Sequence, residues 1–183
     1  MSKLFRTTLW ILSGIGLIAF FFQTLSTFLI SPLMGLLSLL IAAVLVALVI
    51  FLLQRSPMWA RPARLWALLA FLWGGGVAVA LALISSGPVM QLAIDTGWVD
   101  AMMSWSGAYP EEISKATGVI FVLMSFRQLN RPWHGWMVGA VVGLGFEACE
   151  NILYGAMGAT MHPDSDIQGL FEMWGLRLIA GPG

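Results

Sequence analysis

Residues 136–155 read WMVGAVVGLGFEACENILYG. A mostly apolar run of about 20 residues is long enough to cross a hydrocarbon core of about 30 Å as a helix. This one does so with two carboxylates inside it, Glu147 and Glu150. Glu147, Glu150 and Asn151 are spaced i, i+3, i+4, which puts two acids and an amide on one stripe of the helix. The stripe runs back through Gly143 and Gly139, and glycines at that spacing let a neighbouring helix approach closely. The stretch therefore predicts a transmembrane helix with a polar face turned into a bundle.

Composition places the other residues in the same setting. Of 183 residues, 59% are hydrophobic and 10% charged, against about 45–50% and about 25% in an ordinary soluble domain. Four further apolar stretches read as spans, giving five in all: Thr8–Ile30, Leu33–Leu53, Leu65–Ser85, Tyr109–Phe126 and Trp136–Gly155. The expected fold is an all-α polytopic helix bundle. Lys3 and Arg6 precede the first span as in a signal peptide, but its apolar run exceeds the usual stretch of about 7–15 residues and no A-x-A cleavage site follows. It reads as a retained span. Ser31-Pro32 is expected to turn spans one and two into a helical hairpin, since proline cannot continue a helix ladder. The 14 residues from Leu170 to Gly183 reach about 21 Å, short of a crossing. They read as the start of a sixth helix in a single integral-membrane domain, 1–183, cut short at its C-terminus, with the motif-bearing half at 109–183.

Charge sorting sets the orientation. Lys3, Arg6, Arg55, Arg61, Arg64, Arg127 and Arg131 fall in segments on one side; Asp95, Asp100, Asp164 and Asp166 fall on the other. Basic residues accumulate in cytoplasmic loops, so the N-terminus is expected in the cytoplasm, with 86–108 and 158–169 outside. Trp10, Trp59, Trp66, Trp133 and Trp136 read as interface anchors at the inner ends, Trp98 and Trp105 at the outer. Apolar residues mixed with acids between Val89 and Met103 suggest a short surface helix. With nine basic and nine acidic residues the net charge is zero, which argues against nucleic acid as a partner. The single cysteine, Cys149, excludes an intrachain disulfide and a cysteine-rich zinc site.

Against three spans without an ionisable group, span four carries Glu111, Glu112 and Lys115 and span five Glu147 and Glu150. A charge at the bilayer centre costs about 2.5–3.5 kcal/mol on insertion scales, so such groups face the bundle and pair or do chemistry there. Glu111 and Lys115 are spaced i,i+4 for an ion pair, which leaves Glu112 about 100° away for another task. Counted from Trp136, Glu147 and Glu150 lie about 16 and 21 Å above the inner boundary; counted from Tyr109, Glu112 and Lys115 lie about 5 and 9 Å below the outer one. The two sets are expected to meet in one pocket open to the exterior. Four glutamates against one lysine leave negative charge that calls for protons or a metal.

Residues 110–115, PEEISK, and 143–151, GLGFEACEN, resemble the first two motifs of the PrsW family of intramembrane proteases, which is related to the CAAX-processing and bacteriocin-processing membrane proteases. The first, EExxK, is short; the second is longer, and both occur in the family's order. The resemblance implies a glutamate-dependent, metal-assisted peptidase with Glu111, Glu112, Lys115, Glu147, Glu150 and Asn151 at its motif positions. It also implies a membrane-anchored protein substrate of the anti-sigma-factor kind, cut on the extracytoplasmic side, and a bacterial inner-membrane location. A family histidine motif follows a segment resembling residues 176–183, where this chain stops. His134 and His162 read as solvated loop residues. Peptide hydrolysis needs a base and an oxyanion donor. The expected base is Glu112, with Glu147 and Glu150 as partners and Asn151 as the donor. A divalent metal on Glu112, Glu147 and Glu150 would suit Mg²⁺ or Mn²⁺, or Zn²⁺ with an added histidine. Two other classes compete: a proton- or ion-coupled transporter, since buried glutamates mark ion pathways, and a catalytically silent membrane scaffold.

Overall fold

A computed structural model describes residues 3–180, and all regular structure among them is helical. In chain order the elements are α1 (Lys3–Ile30), α2 (Pro32–Arg55), α3 (Arg64–Leu72), a π-helical turn (Trp73–Ala78), α4 (Val79–Asp95), a 3₁₀ turn (Val99–Ala101), α5 (Met102–Ser125), α6 (Pro132–Met161) and α7 (Asp166–Ala180). Among the described residues, four helices are long and apolar enough to cross a membrane: α1, α2, the continuous rod Arg64–Asp95, and α6. The fifth expected span lies in α5. It has 24 residues, about 36 Å at 1.5 Å per residue, but its acids and lysine set it apart in composition.

The hairpin at Ser31-Pro32 forms as the proline dictates. Ser31 N–H donates to Thr27 O at 3.2 Å to close α1, and Pro32 opens α2 where its missing N–H costs nothing. Helices elsewhere overrun their apolar stretches. The expected surface helix between Val89 and Met103 is absent: α4 carries on through Pro88 to Asp95, because a proline removes only one rung and the residues after it are good helix formers. Gly97, at φ +79°, supplies the left-handed residue that ends it. α5 likewise begins at Met102, well before Tyr109, with Pro110 inside it. α7 begins at Asp166 rather than Leu170, and residues 181–183 of the expected sixth helix lie outside the described residues.

At the centre, α6 packs against α1, α2, α3, the π turn, α5 and α7. Its buried Met137, Val138, Val141, Val142 and Phe146 meet Trp66, Leu69 and Trp73 in the main apolar core. A second cluster, Met34, Ala42, Ile152, Leu170 and Trp174, seats α7 on α2 and α6. Large apolar side chains such as Ile18, Phe21, Phe22 and Leu29 point outward from α1, as a surface solvated by lipid allows.

The basic segments gather at one end. Lys3, Arg6 and Arg127 line one recess, and Arg61 and Arg64 line a second that shares Phe126 and Gln128 with it. Helices that leave this end finish beside Asp95 and at Met161, so the aspartates fall at the opposite one. Trp10, Trp98, Trp133 and Trp136 are exposed. Trp59 and Trp66 are not anchors: both are buried with rings 4.7 Å apart, and Trp66 Nε1–H donates to Ala60 O at 3.1 Å, so its polar edge is satisfied inside the core.

Candidate active site

The π turn Trp73–Ala78 positions both acid-bearing helices. Trp73 Nε1–H donates to Ser114 O at 3.0 Å, and its ring stacks on Phe121 at 5.3 Å, which fixes α5 one residue from Lys115. On the other side Gly74 and Gly75 receive α6: a Cβ on Gly145 would run into Phe71 O and lie 3.0 Å from Gly75 N. This close approach fixes Phe146 and Glu147. Gly139 and Gly143 do not serve the same purpose. A Cβ on Gly143 would meet nothing within 4 Å, and one on Gly139 only Val119 Cγ2 at 3.9 Å. The expected helix contact along that stripe is replaced by a cavity of about 570 Å³, floored by the two glycines and lined by Val49, Glu112, Lys115 and Glu147. The cavity lies between α2, α5 and α6.

The ionic pairing on α5 differs from the expected one. Lys115 Nζ pairs with Glu112 (i,i+3), not with Glu111, and lies 4.6 Å from the Phe146 ring centroid. Leaning toward α6 and its aromatic face brings the ammonium over Glu112, so Glu112 is the acid that is occupied. The Lys115 side chain is 15% exposed and that of Glu112 62%. Glu111 is half-buried and, among the described residues, its carboxylate makes no ion pair or hydrogen bond. It lines a second cavity of about 250 Å³ together with Glu150, Tyr154, Ser106 and Gln23.

The α6 stripe is engaged as a unit. Arg177, from α7, donates through Nε to Asn151 Oδ1 at 2.7 Å and through Nη2 to Glu150 Oε2 at 2.8 Å and Glu147 Oε2 at 3.1 Å. Its Cζ lies 4.6 Å from the Tyr154 ring centroid. Arg177 was not among the residues singled out from the sequence. Its signal was there: an arginine in the mostly apolar stretch after Leu170, where Glu172 is the other charged residue and a guanidinium is costly and calls for acidic partners. Guanidinium has only donors, so Asn151 must offer it the carbonyl oxygen, which leaves the amide N–H₂ for another acceptor.

Neither histidine is the solvated loop residue expected. His134 is buried at the start of α6, where Nδ1 accepts the Arg131 N–H at 3.1 Å. His162 Nδ1 accepts the N–H groups of Asp164 and Ser165 at 3.2 and 3.1 Å and so shapes the turn into α7. Backbone donors at helix boundaries need such acceptors. Among the described residues no group of three or more His, Cys, Asp or Glu side chains is gathered to hold a metal ion. Glu112, Glu147 and Glu150 as they stand do not fit one: Lys115 holds the first and Arg177 the other two.

Neither a comparison with curated proteins nor one with solved structures finds a match to this chain. A comparison with protein families matches residues 62–183, two thirds of the length, to the PrsW family intramembrane metalloproteases. That span contains every acid and both cations of the site, and the family's description as metalloproteases supports a metal cofactor in general. The chain is an integral membrane protein that belongs to the PrsW family of intramembrane proteases.

Proposed function

We propose that this peptidase cuts a membrane-anchored protein close to the extracytoplasmic face of a bacterial inner membrane, with an anti-sigma-factor-like protein as the substrate class that the family resemblance suggests. The observation that carries this reading is the set of four glutamates, Lys115 and Arg177 placed around the C-terminal half of α6 and beside two cavities. Charges in that setting are retained for pairing or chemistry. The collection of the basic segments at one end supports the orientation with that end inside. α5 is read as the fifth span, its acids turned toward α6 and the cavities.

Hydrolysis needs a water, a group to take its proton and a donor for the tetrahedral oxyanion. Glu112 was the base expected from spacing; its pairing with Lys115 makes Glu111 the better assignment, because Glu111 has no cation in direct contact and faces a cavity shared with Glu150. In this reading Glu111 accepts the proton of the attacking water. The Asn151 N–H₂, turned by Arg177, and the Lys115 ammonium supply donors for the developing oxyanion. A divalent metal remains part of the family chemistry; the carboxylates favour Mg²⁺ or Mn²⁺, and zinc would call for a nitrogen donor that the described residues do not bring to the site.

The test is a comparison of new protein termini in membranes from cells making the wild-type chain, Glu111→Gln or Glu147→Gln. The expected result is a set of cleavages in single-span proteins, on the outer side, that both substitutions abolish. Identical termini in all three membranes would contradict the reading and favour a transporter or scaffold.

A further inference from the structure

We infer that Arg177 is a positioning residue that holds Glu147, Glu150 and Asn151 as an arginine–carboxylate cluster, and that a divalent cation gains these carboxylates only by displacing it. The inference rests on the peptidase reading above and deepens it. One guanidinium contacts all three polar residues of the α6 stripe at 2.7–3.1 Å, and charge-assisted contacts of this kind are the strong ones. The same oxygens, Glu147 Oε2 and Glu150 Oε2, would have to lie at about 2.0–2.2 Å from a transition metal. A guanidinium at hydrogen-bond distance and a dication on the same atoms repel each other strongly in a low-dielectric interior.

The arginine is not a wandering surface side chain. α7 is seated by Trp174, whose Nε1–H donates to Ser38 Oγ at 2.9 Å, and by a crossing where a Cβ on Gly158 would lie 2.9 Å from Gly169 O. Its backbone is thus fixed, and the exchange falls to the Arg177 side chain, which lines a cavity of about 300 Å³ between α2, α6 and α7. Charge gives the exchange its direction. Four glutamates less Lys115 and Arg177 leave two negative charges at the site, enough to attract a dication while the arginine still occupies its ligands.

Binding of Mn²⁺ to the purified 183-residue chain in detergent micelles, followed by the paramagnetic resonance of the free ion, tests this directly. Arg177→Gln should bind on the order of 10-fold more tightly than wild type, the scale on which groups touching metal ligands shift affinity. Arg177→Lys, which keeps the charge but cannot reach all three acceptors at once, should fall between the two. The gain should vanish in the triple variant Arg177→Gln, Glu147→Gln, Glu150→Gln. Binding by Arg177→Gln no tighter than wild type, or a gain that survives in the triple variant, would overturn the inference. Should Arg177→Gln not fold, Arg177→Lys against wild type decides it: tighter binding supports the inference, equal binding overturns it. Cleavage is not read in this assay, so the peptidase reading and the Arg177 inference can fail separately.

Discussion

Lys115 pairs with Glu112 rather than with Glu111, and this choice of partner divides two adjacent acids into an occupied one and a free one. The pair is held from the far side by the Phe146 ring, so it also ties α5 to α6. Glu112→Gln should therefore lower stability by about 1 kcal/mol at most, the range of a largely exposed ion pair. Glu111→Gln, which breaks no direct contact, should leave stability unchanged or slightly higher. Thermal unfolding of both variants in detergent checks the order; a larger loss for Glu111→Gln would restore the pairing expected from i,i+4 spacing.

Two glycines of the same motif should behave oppositely. Gly145→Ala puts a methyl group against the backbone of the α3–π-turn rod, an overpacking that costs about 1–3 kcal/mol. Gly143→Ala projects into a cavity and should be neutral or stabilising by up to about 1 kcal/mol through helix propensity. The same unfolding measurement separates them. Equal effects would mean that α6 does not meet the π turn as described.

Sidedness is open to a labelling experiment. Asp100→Cys and Asp164→Cys, both at exposed positions, should react with an impermeant thiol reagent added outside intact cells, and Arg61→Cys should react only after lysis. Cys149 is buried and should stay silent in every case. Outside labelling of Arg61→Cys would invert the orientation and put the carboxylates on the cytoplasmic side.

What could be read in the sequence was what depends on local pattern. Apolar length announced the helices, Ser31-Pro32 the hairpin, and i, i+3, i+4 spacing the shared face of Glu147, Glu150 and Asn151, which one side chain of α7 grips. Tertiary choices were not legible. Whether Lys115 leans to Glu111 or Glu112 is decided by Phe146 on another helix, and whether a glycine receives a neighbour is decided by the π turn, which touches Gly145 and passes by Gly143. Helix ends went past the apolar runs because proline at positions 88 and 110 interrupts one hydrogen bond and not the helix. Arg177 was not legible because its segment reads by length as a partial span, when the two charged residues within it, Glu172 and Arg177, carry the information.

The most direct measurement is cleavage of a single-span reporter protein co-reconstituted with the purified chain in liposomes. If the free acid of the pair is the base, Glu111→Gln should reduce the initial rate by at least about 100-fold, the lower range for loss of general base catalysis. Glu172→Gln, an exposed acid on α7 bonded to Gln168 and placed outside the site, should cleave at the wild-type rate. Wild-type cleavage by Glu111→Gln would contradict the account.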